Sequence, residues 1–356
     1  MKRENTACPV EKFKTMIGGQ ALIEGIMMRG PEKQAVVVRK SADELVEKLE
    51  PIRKKTGVLT WPLIRGVVNF GSSMISGVKC LMWSAEQAEL EEEEAVPADE
   101  TSEQKAKREQ KAQKGPSKLE SWLEKKMGSE KFMSVLIGFS LLLGLGFSLL
   151  LFFLLPIELG NLFQRLTGCG LLVQHLIEGV FRILIFLVYM IGISKLKDMK
   201  RVFSYHGAEH KTIRCYEAKL PLTVENVRGM TRKHPRCGTS FLFVVMALSI
   251  FLFTVISAVL NAWIPGLAAL RDQSRVLYNL LMMGLKLLVM LPLVVSVSYE
   301  INRFVGRHDN RFTRILTAPG LWFQNFTTNE PDDSMIEVAI RALELVVPEQ
   351  EGADQW

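Results

Sequence analysis

The strongest constraint on this chain is where its apolar residues lie. Four long apolar stretches fall between Phe132 and Tyr299. A helix needs about 20 apolar residues, at ~1.5 Å each, to cross the hydrocarbon core of a bilayer. Residues 132–157 are 26 positions without a charge. Residues 176–194 carry Glu178 and Arg182, four apart and so able to pair on one helical face. Residues 237–264 hold no charge, and Pro265-Gly266 is expected to end that helix. Residues 276–299 hold one charge, Lys286, near the middle. It pairs with Glu178 if their depths match, and otherwise faces the bundle interior or snorkels. The expected fold is therefore an all-α polytopic membrane protein with about four transmembrane helices. A small α+β cytosolic region (1–61) precedes them, and a cytosolic tail (300–356) with an amphipathic helix follows.

Composition agrees with that division. Hydrophobic residues are 48% of the chain and charged residues 23%, and the two classes are segregated. The connection 158–175 has one basic residue, Arg165, whereas 195–236 has eleven. The excess of positive charge places 195–236, and with it both termini, in the cytoplasm. The first residues lack the apolar core of a cleavable signal. Five scattered cysteines argue against a disulfide framework and for a reducing compartment. The net charge of +6 suits a protein facing anionic lipid, and no nucleic-acid partner is needed to explain it.

In the N-terminal region, 21–28 and 35–38 are β-prone runs separated by the turn signal Gly30-Pro31. Asp43–Leu49 reads as helical. In 62–84, Leu63, Val67, Phe70, Met74, Val78 and Leu81 recur at helical spacing. That segment is expected as an interfacial or re-entrant helix, with a full span as the alternative. Residues 85–131 read as a charged linker. In the tail, Ser334 and Glu337 form an expected capping box, followed by the stripe Ile336, Ala339, Ile340 and Leu343.

The chemistry concentrates in 195–236. Three of the five histidines lie there. His206-x-x-Glu209-His210 puts two imidazoles on one helical face, able to reach one metal, with Glu209 beside them as a base. His234 and Cys237 add two further ligands of a kind zinc accepts. The spans return Cys237 and Glu300 to the same side as this pair, so Glu300 is a candidate carboxylate ligand or supporting acid. Glu217 lies seven residues after His210, about 10 Å along a helix axis, too far to share a metal. A supporting or substrate role suits it better. Arg236, with Arg214 and Arg232, is a candidate for holding a developing anion or a lipid phosphate. Glu24 is a polar residue in an apolar stretch that can face the site, and Cys215 reads as buried and inert. Gly18, Gly19, Gly25 and Gly30 make no nucleotide-binding pattern and read as turn residues.

Several stretches are similar to one family. GGQALIEGIMMRGP (18–31), FSYHGAEHKTI (203–213), PLTVENVRGMTRKHPRCGTSFL (221–242), SYEINR (298–303) and PGLWFQNFTTNEPDDSMIEVAI (319–340) together resemble the YqhQ-like family of bacterial membrane proteins. That family is described as predicted metal-dependent enzymes of unknown function. The resemblance implies a bacterial plasma-membrane location and a metal site at His206, Glu209, His210, His234 and Cys237. It implies no substrate.

The leading expectation is a membrane-embedded hydrolase that uses a divalent metal, zinc by ligand type, on a lipid or membrane-protein substrate, with Glu209 catalytic. The rival is a non-enzymatic assembly or scaffold factor with a structural metal. A third class is a transporter or metal-handling protein, for which Lys286 and Glu178 would be the relevant charges.

Overall fold

The computed structural model describes residues 12–41, 44–94 and 129–355. Four antiparallel strands come first: β1 (Gly18–Leu22), β2 (Gly25–Arg29), β3 (Lys33–Arg39) and β4 (Leu45–Pro51), paired in chain order. Successive strand residues face opposite sides of a sheet, and β3 uses both sides. Ala35 and Val37 enter one core with Ile26, Met28, Tyr205 and Leu343. Val36 and Val38 enter another with Leu22, Met27 and Cys80. The helical expectation for Asp43–Leu49 is corrected: Leu45–Leu49 lies within β4, paired to β3 from Lys33↔Pro51 to Arg39↔Leu45. A strand as fully buried as β3 needs its main-chain groups satisfied on both edges, and that requirement overrides the local helical pattern. The residues 42–43 lie outside the described residues.

Helix α1 (Ile64–Glu94) covers the second face of the sheet. Ser76 Oγ donates to Gln34 at 3.0 Å. The expected helix over 62–84 is present and runs ten residues further, into part of the expected linker. Residues 95–128 of that linker lie outside the described residues, and 129–131 begin the next helix. Val67, Phe70, Met74, Ile75 and Met82 leave an exposed apolar face on α1.

Among the described residues, four helices are long and apolar enough to cross a membrane: Gly138–Thr167, Leu171–Ile193, Phe241–Trp263 and Arg275–Arg307. The first comprises most of α2 (Ser129–Leu149), a widened turn over 150–154, and α3 (Leu155–Thr167). The second is α4 (Leu171–Ile193), and the third lies in α7 (Gly238–Trp263). The fourth joins α9 (Arg275–Leu285) through a widened turn at Lys286–Met290 to α10 (Leu291–Arg307). Helix α7 stops at Ile264, and Pro265 opens the short α8 (Pro265–Gln273), as Pro265-Gly266 predicted. A proline fits the first turn of a helix, where its missing N–H costs nothing.

Inside this bundle Lys286 and Glu178 meet. Lys286 Nζ donates to Glu178 Oε1 at 2.8 Å, and Arg182 donates to the same oxygen at 2.7 Å. His175 Nδ1 lies 3.4 Å from Oε2. Arg182 also donates to the Phe152 carbonyl at 3.1 Å, within the widened turn of the first candidate span. The Phe253 ring of α7 covers both cations, 5.6 Å from Arg182 and 5.9 Å from Lys286. Glu178 and Arg182 together thus tie three candidate spans, the carboxylate reaching Lys286 and the guanidinium reaching the Phe152 carbonyl.

The segment 195–236, expected as a loop, is largely helical. Helix α5 (Lys197–Glu217) is followed by the short α6 (Val224–Arg228). After α10 come α11 (Arg311–Thr327) and α12 (Asp333–Glu344). The apolar stripe of α12 is core: Ile336, Ala339 and Leu343 are fully buried against the sheet and α5, with Ile340 packed at the edge. Its cap is Asp332, which accepts from Met335 N at 2.9 Å, so the expected Ser334 cap is corrected. Ser334 lies inside the helix, and Glu337 instead pairs with Arg39 at 2.8 Å.

Removing Glu178 would leave Lys286 and Arg182 as uncompensated buried cations. A buried pair broken on one side typically costs about 3–5 kcal/mol. Glu178→Ala should therefore lower the melting temperature in detergent strongly. Lys286→Ala should lower it less, because Arg182 still holds the carboxylate. Equal effects would contradict the shared-carboxylate arrangement.

Candidate metal centre

Helix α5 carries His206 and His210 on one face, as their four-residue spacing requires. Their ring centroids are 4.3 Å apart. Each ring is pinned by its Nδ1 to a main-chain carbonyl: His206 to Thr327 O at 2.8 Å, and His210 to Arg232 O at 2.6 Å. A hydrogen bond from Nδ1–H fixes the tautomer and leaves Nε2 as the lone-pair donor, the arrangement found behind metal-bound histidines. The Nε2 of His210 is buried and has no hydrogen-bond partner.

Cys237 caps the N-terminus of α7, where Thr239 N donates to its Sγ at 3.5 Å. His206 Nε2 lies 3.2 Å from that sulfur. One donor atom each from His206, His210 and Cys237 lie within 4.8 Å of one another. Donors sharing a tetrahedral zinc are about 3.5 Å apart, given zinc–nitrogen and zinc–sulfur bonds of roughly 2.0–2.3 Å. Closure by about an ångström would complete the group, so these residues fit a metal.

Glu209 sits beside this group. Its Oε1 accepts from Gly19 N at 2.9 Å, while its Oε2 is buried without a partner. Gly19 was read as a turn residue, but its place in β1 has a steric reason. A Cβ there would come within 2.9 Å of the Glu209 carboxyl carbon and 2.7 Å of the Met27 carbonyl. A cavity of about 110 Å³ opens here, lined by Gly18, Gly19, Glu209, Arg236 and Cys237 among others.

Charge in the centre is coupled. Burial alone would raise the Cys237 thiol, but His210 and His206 pull it well below the ordinary range. Burial likewise opposes a charge on His206, yet the Cys237 sulfur and Glu209 carry it up to about 9. Burial pushes Glu209 up. Without a metal, the pair therefore rests as imidazolium and thiolate.

His234 lies next to this group rather than in it. Its ring is 5.6 Å from that of His210, but its Nε2 faces Glu217 Oε2 at 3.3 Å. Burial and the neighbouring Arg236 push His234 well below its ordinary value, so it stays neutral. Glu217 is fully buried and accepts from Arg236 and, at 2.9 Å, from Thr15 N. Glu217 and Arg236 thus form a supporting layer one ring behind the centre. Gln324 grips the His234 main chain from both sides, accepting from its N and donating to its O, each at 2.8 Å.

Other predicted residues lie elsewhere. Glu300 is held by Arg65 of α1, Nε to Oε1 at 2.7 Å. The expectation of Glu300 as a ligand is corrected because α10 continues as a helix to Arg307 and turns that carboxylate toward α1. Glu24 pairs with Arg201 and accepts from Tyr205 at 3.2 Å, fixing the β1–β2 turn on α5. Lys286 belongs to the Glu178 group between the candidate spans. Cys215 is fully buried, as expected.

Sequence reasoning missed Gly19, Gly207, Gln324 and Thr327. Gly207, between the two histidines, carried a signal. A Cβ there would lie 2.0 Å from the Asn329 carbonyl, because the 327–329 segment runs directly over α5. Asn329 N also donates to Phe203 O at 2.8 Å.

Comparison with known proteins agrees with the long matching stretches. The family described as "Protein of unknown function (DUF1385)" matches residues 61–349. This chain belongs to that family. It is 31% identical over 337 residues to "Uncharacterized protein YqhQ" of Bacillus subtilis (strain 168), covering 93% of this chain and 92% of that one. No solved structure matches.

Two outcomes test the geometry. In chelator-treated protein near neutral pH, Cys237 should be alkylated by iodoacetamide well before Cys80 or Cys215, whose thiols burial pushes up. Peptide mapping by mass spectrometry reads the order. Gly207→Ala should displace the 327–329 segment and lower thermal stability by about 1–3 kcal/mol.

Proposed function

We propose that this protein is a metal-dependent hydrolase of the bacterial plasma membrane. Its site would lie at the cytoplasmic membrane surface and act on a lipid or membrane-protein substrate. The basic segment 195–236 supports a cytoplasmic site and cytoplasmic termini.

One observation carries the reading. Two imidazoles, each pinned at Nδ1, aim Nε2 toward one thiolate, beside a buried carboxylate oxygen that has no partner. Three donors leave a fourth position for water or substrate, the pattern of catalytic zinc. Had His234 completed the set, a closed structural site would be the better reading. Its nitrogen faces Glu217 instead.

A divalent ion held by His206, His210 and Cys237 would acidify water and polarise a carbonyl or phosphoryl oxygen. Glu209 takes a proton at Oε2, with Oε1 fixed by Gly19 N–H. Arg236 borders the same cavity and can hold developing negative charge. The charges a transporter would use, Lys286 and Glu178, are engaged by each other and by Arg182.

Elemental analysis of the purified full-length protein should find close to one zinc per chain. His206→Ala, His210→Ala and Cys237→Ala should each reduce affinity by more than the roughly 10–100-fold typical of an outer hydrogen-bond partner. Glu209→Gln should keep metal and melting temperature but fail to complement a strain lacking the gene. Careful preparations without stoichiometric metal would sink the proposal. Full complementation by Glu209→Gln would favour the structural-metal rival.

A further inference from the structure

A second, larger cavity lies beside the metal centre. It has a volume of about 790 Å³ and is lined by the cations Lys12, Lys14, Arg214, Arg236 and Arg314. Among the described residues, the one carboxylate in its wall, Asp309, is held by Arg314 at 2.8 Å. Val305 and Leu321 give it an apolar side. The segment bearing Lys12 and Lys14 is fixed: Lys12 N donates to Glu217 O at 2.8 Å, and Thr15 N to the Glu217 side chain. Arg236 lines both this cavity and the 110 Å³ cavity that contains Glu209.

Its position suggests the ligand. The cavity sits at the turn between α10, which ends the fourth candidate span at Arg307, and α11. Helix α11 is two-sided. Thr313 and Thr317 line the cavity, while Phe312, Ile315 and Trp322 are exposed on the other side, by 60%, 71% and 50%. A helix with an exposed apolar and aromatic face next to the end of a span is built to lie in a membrane interface. The cavity then opens at headgroup level. Its volume falls in the roughly 300–1,000 Å³ range of sites for whole small molecules, well above what a lone ion fills.

We propose that this cavity binds the phosphate headgroup of an anionic membrane lipid. The phosphate lies against Lys12, Lys14 and Arg314, and the upper apolar part of the lipid lies against Val305 and Leu321. The assignment deepens the metalloenzyme reading and rests on it in one respect: through Arg236, a phosphate-bearing lipid becomes the class of molecule presented to Glu209. Binding itself needs no metal.

The test is native mass spectrometry of the full-length protein in micelles doped equally with phosphatidylglycerol and phosphatidylcholine. Wild type should retain phosphatidylglycerol preferentially. A basic residue near an anionic headgroup contributes about fivefold in affinity. Arg314→Glu should thus lower retention at least about fivefold, and Lys12→Glu with Lys14→Glu more. Lys54→Glu, an exposed position outside the cavity, should change nothing. Unchanged melting temperatures certify the fold. Equal retention of the two lipids would overturn the proposal, as would lysine variants that retain phosphatidylglycerol normally. Displacement of the lipid from wild type by millimolar inorganic phosphate would make free phosphate the occupant and overturn the lipid assignment. His206→Ala should lose metal yet keep the lipid preference, which separates the two proposals. Loss of the preference in a folded His206→Ala protein would move the lipid to the metal centre and overturn the cavity assignment.

Discussion

The centre depends on the close approach of two main chains. The 327–329 segment crosses α5 so tightly that only a glycine fits at position 207. That contact puts the Thr327 carbonyl against His206 and lets Asn329 tie back to Phe203. The same segment connects α11, which follows the fourth candidate span, to α12, which packs in the core with the sheet and α5. One steric requirement therefore sets the orientation of a candidate ligand and joins the two halves of the molecule. Arg232 O plays the matching part for His210. Main-chain carbonyls in fixed segments hold imidazoles more rigidly than side chains can, because they have no rotamers to lose.

The small sheet is a second organising element. β3 feeds α5 and α12 with one set of alternating residues and α1 with the other. α1 in turn meets α10 where a Cβ at Gly66 would lie 2.8 Å from Ser296 Cα, with Asn69 donating to Tyr299 at 2.9 Å. β1 carries Gly19 to Glu209. The sheet thus closes one side of the centre through β1, whose Gly18 and Gly19 line the small cavity there.

Within the bundle, the Glu178 group acts as a fastener. A lone lysine or arginine in an apolar bundle is costly, and partners from neighbouring helices reduce that cost. The arrangement joins α4, the α9–α10 helix and the first candidate span around Phe253 of α7. It explains why Lys286 is present without assigning it a transport role.

The sequence by itself determined the elements whose cause is local. Apolar length set four candidate spans, helical spacing put His206 and His210 on one face, and the four-residue separation paired Glu178 with Arg182. Proline at 265 ended a helix, and the stripe from Ile336 to Leu343 marked a buried face. Tertiary structure decided everything that needs two distant segments. It made Leu45–Pro51 a strand, because β3 required a partner. It moved the cap of α12 from Ser334 to Asp332, a choice made by the path of the preceding chain. It separated His234 from His206 and His210 by giving it Glu217 and Arg236, and it turned Glu300 to Arg65. It also gave Gly19 and Gly207 their roles, which are invisible along the chain because Gly19 answers to the Glu209 side chain and Gly207 to the Asn329 carbonyl, both far away in sequence. Ligand types are a property of composition and spacing. Which atoms converge is a property of close packing between segments from 17 to 190 residues apart.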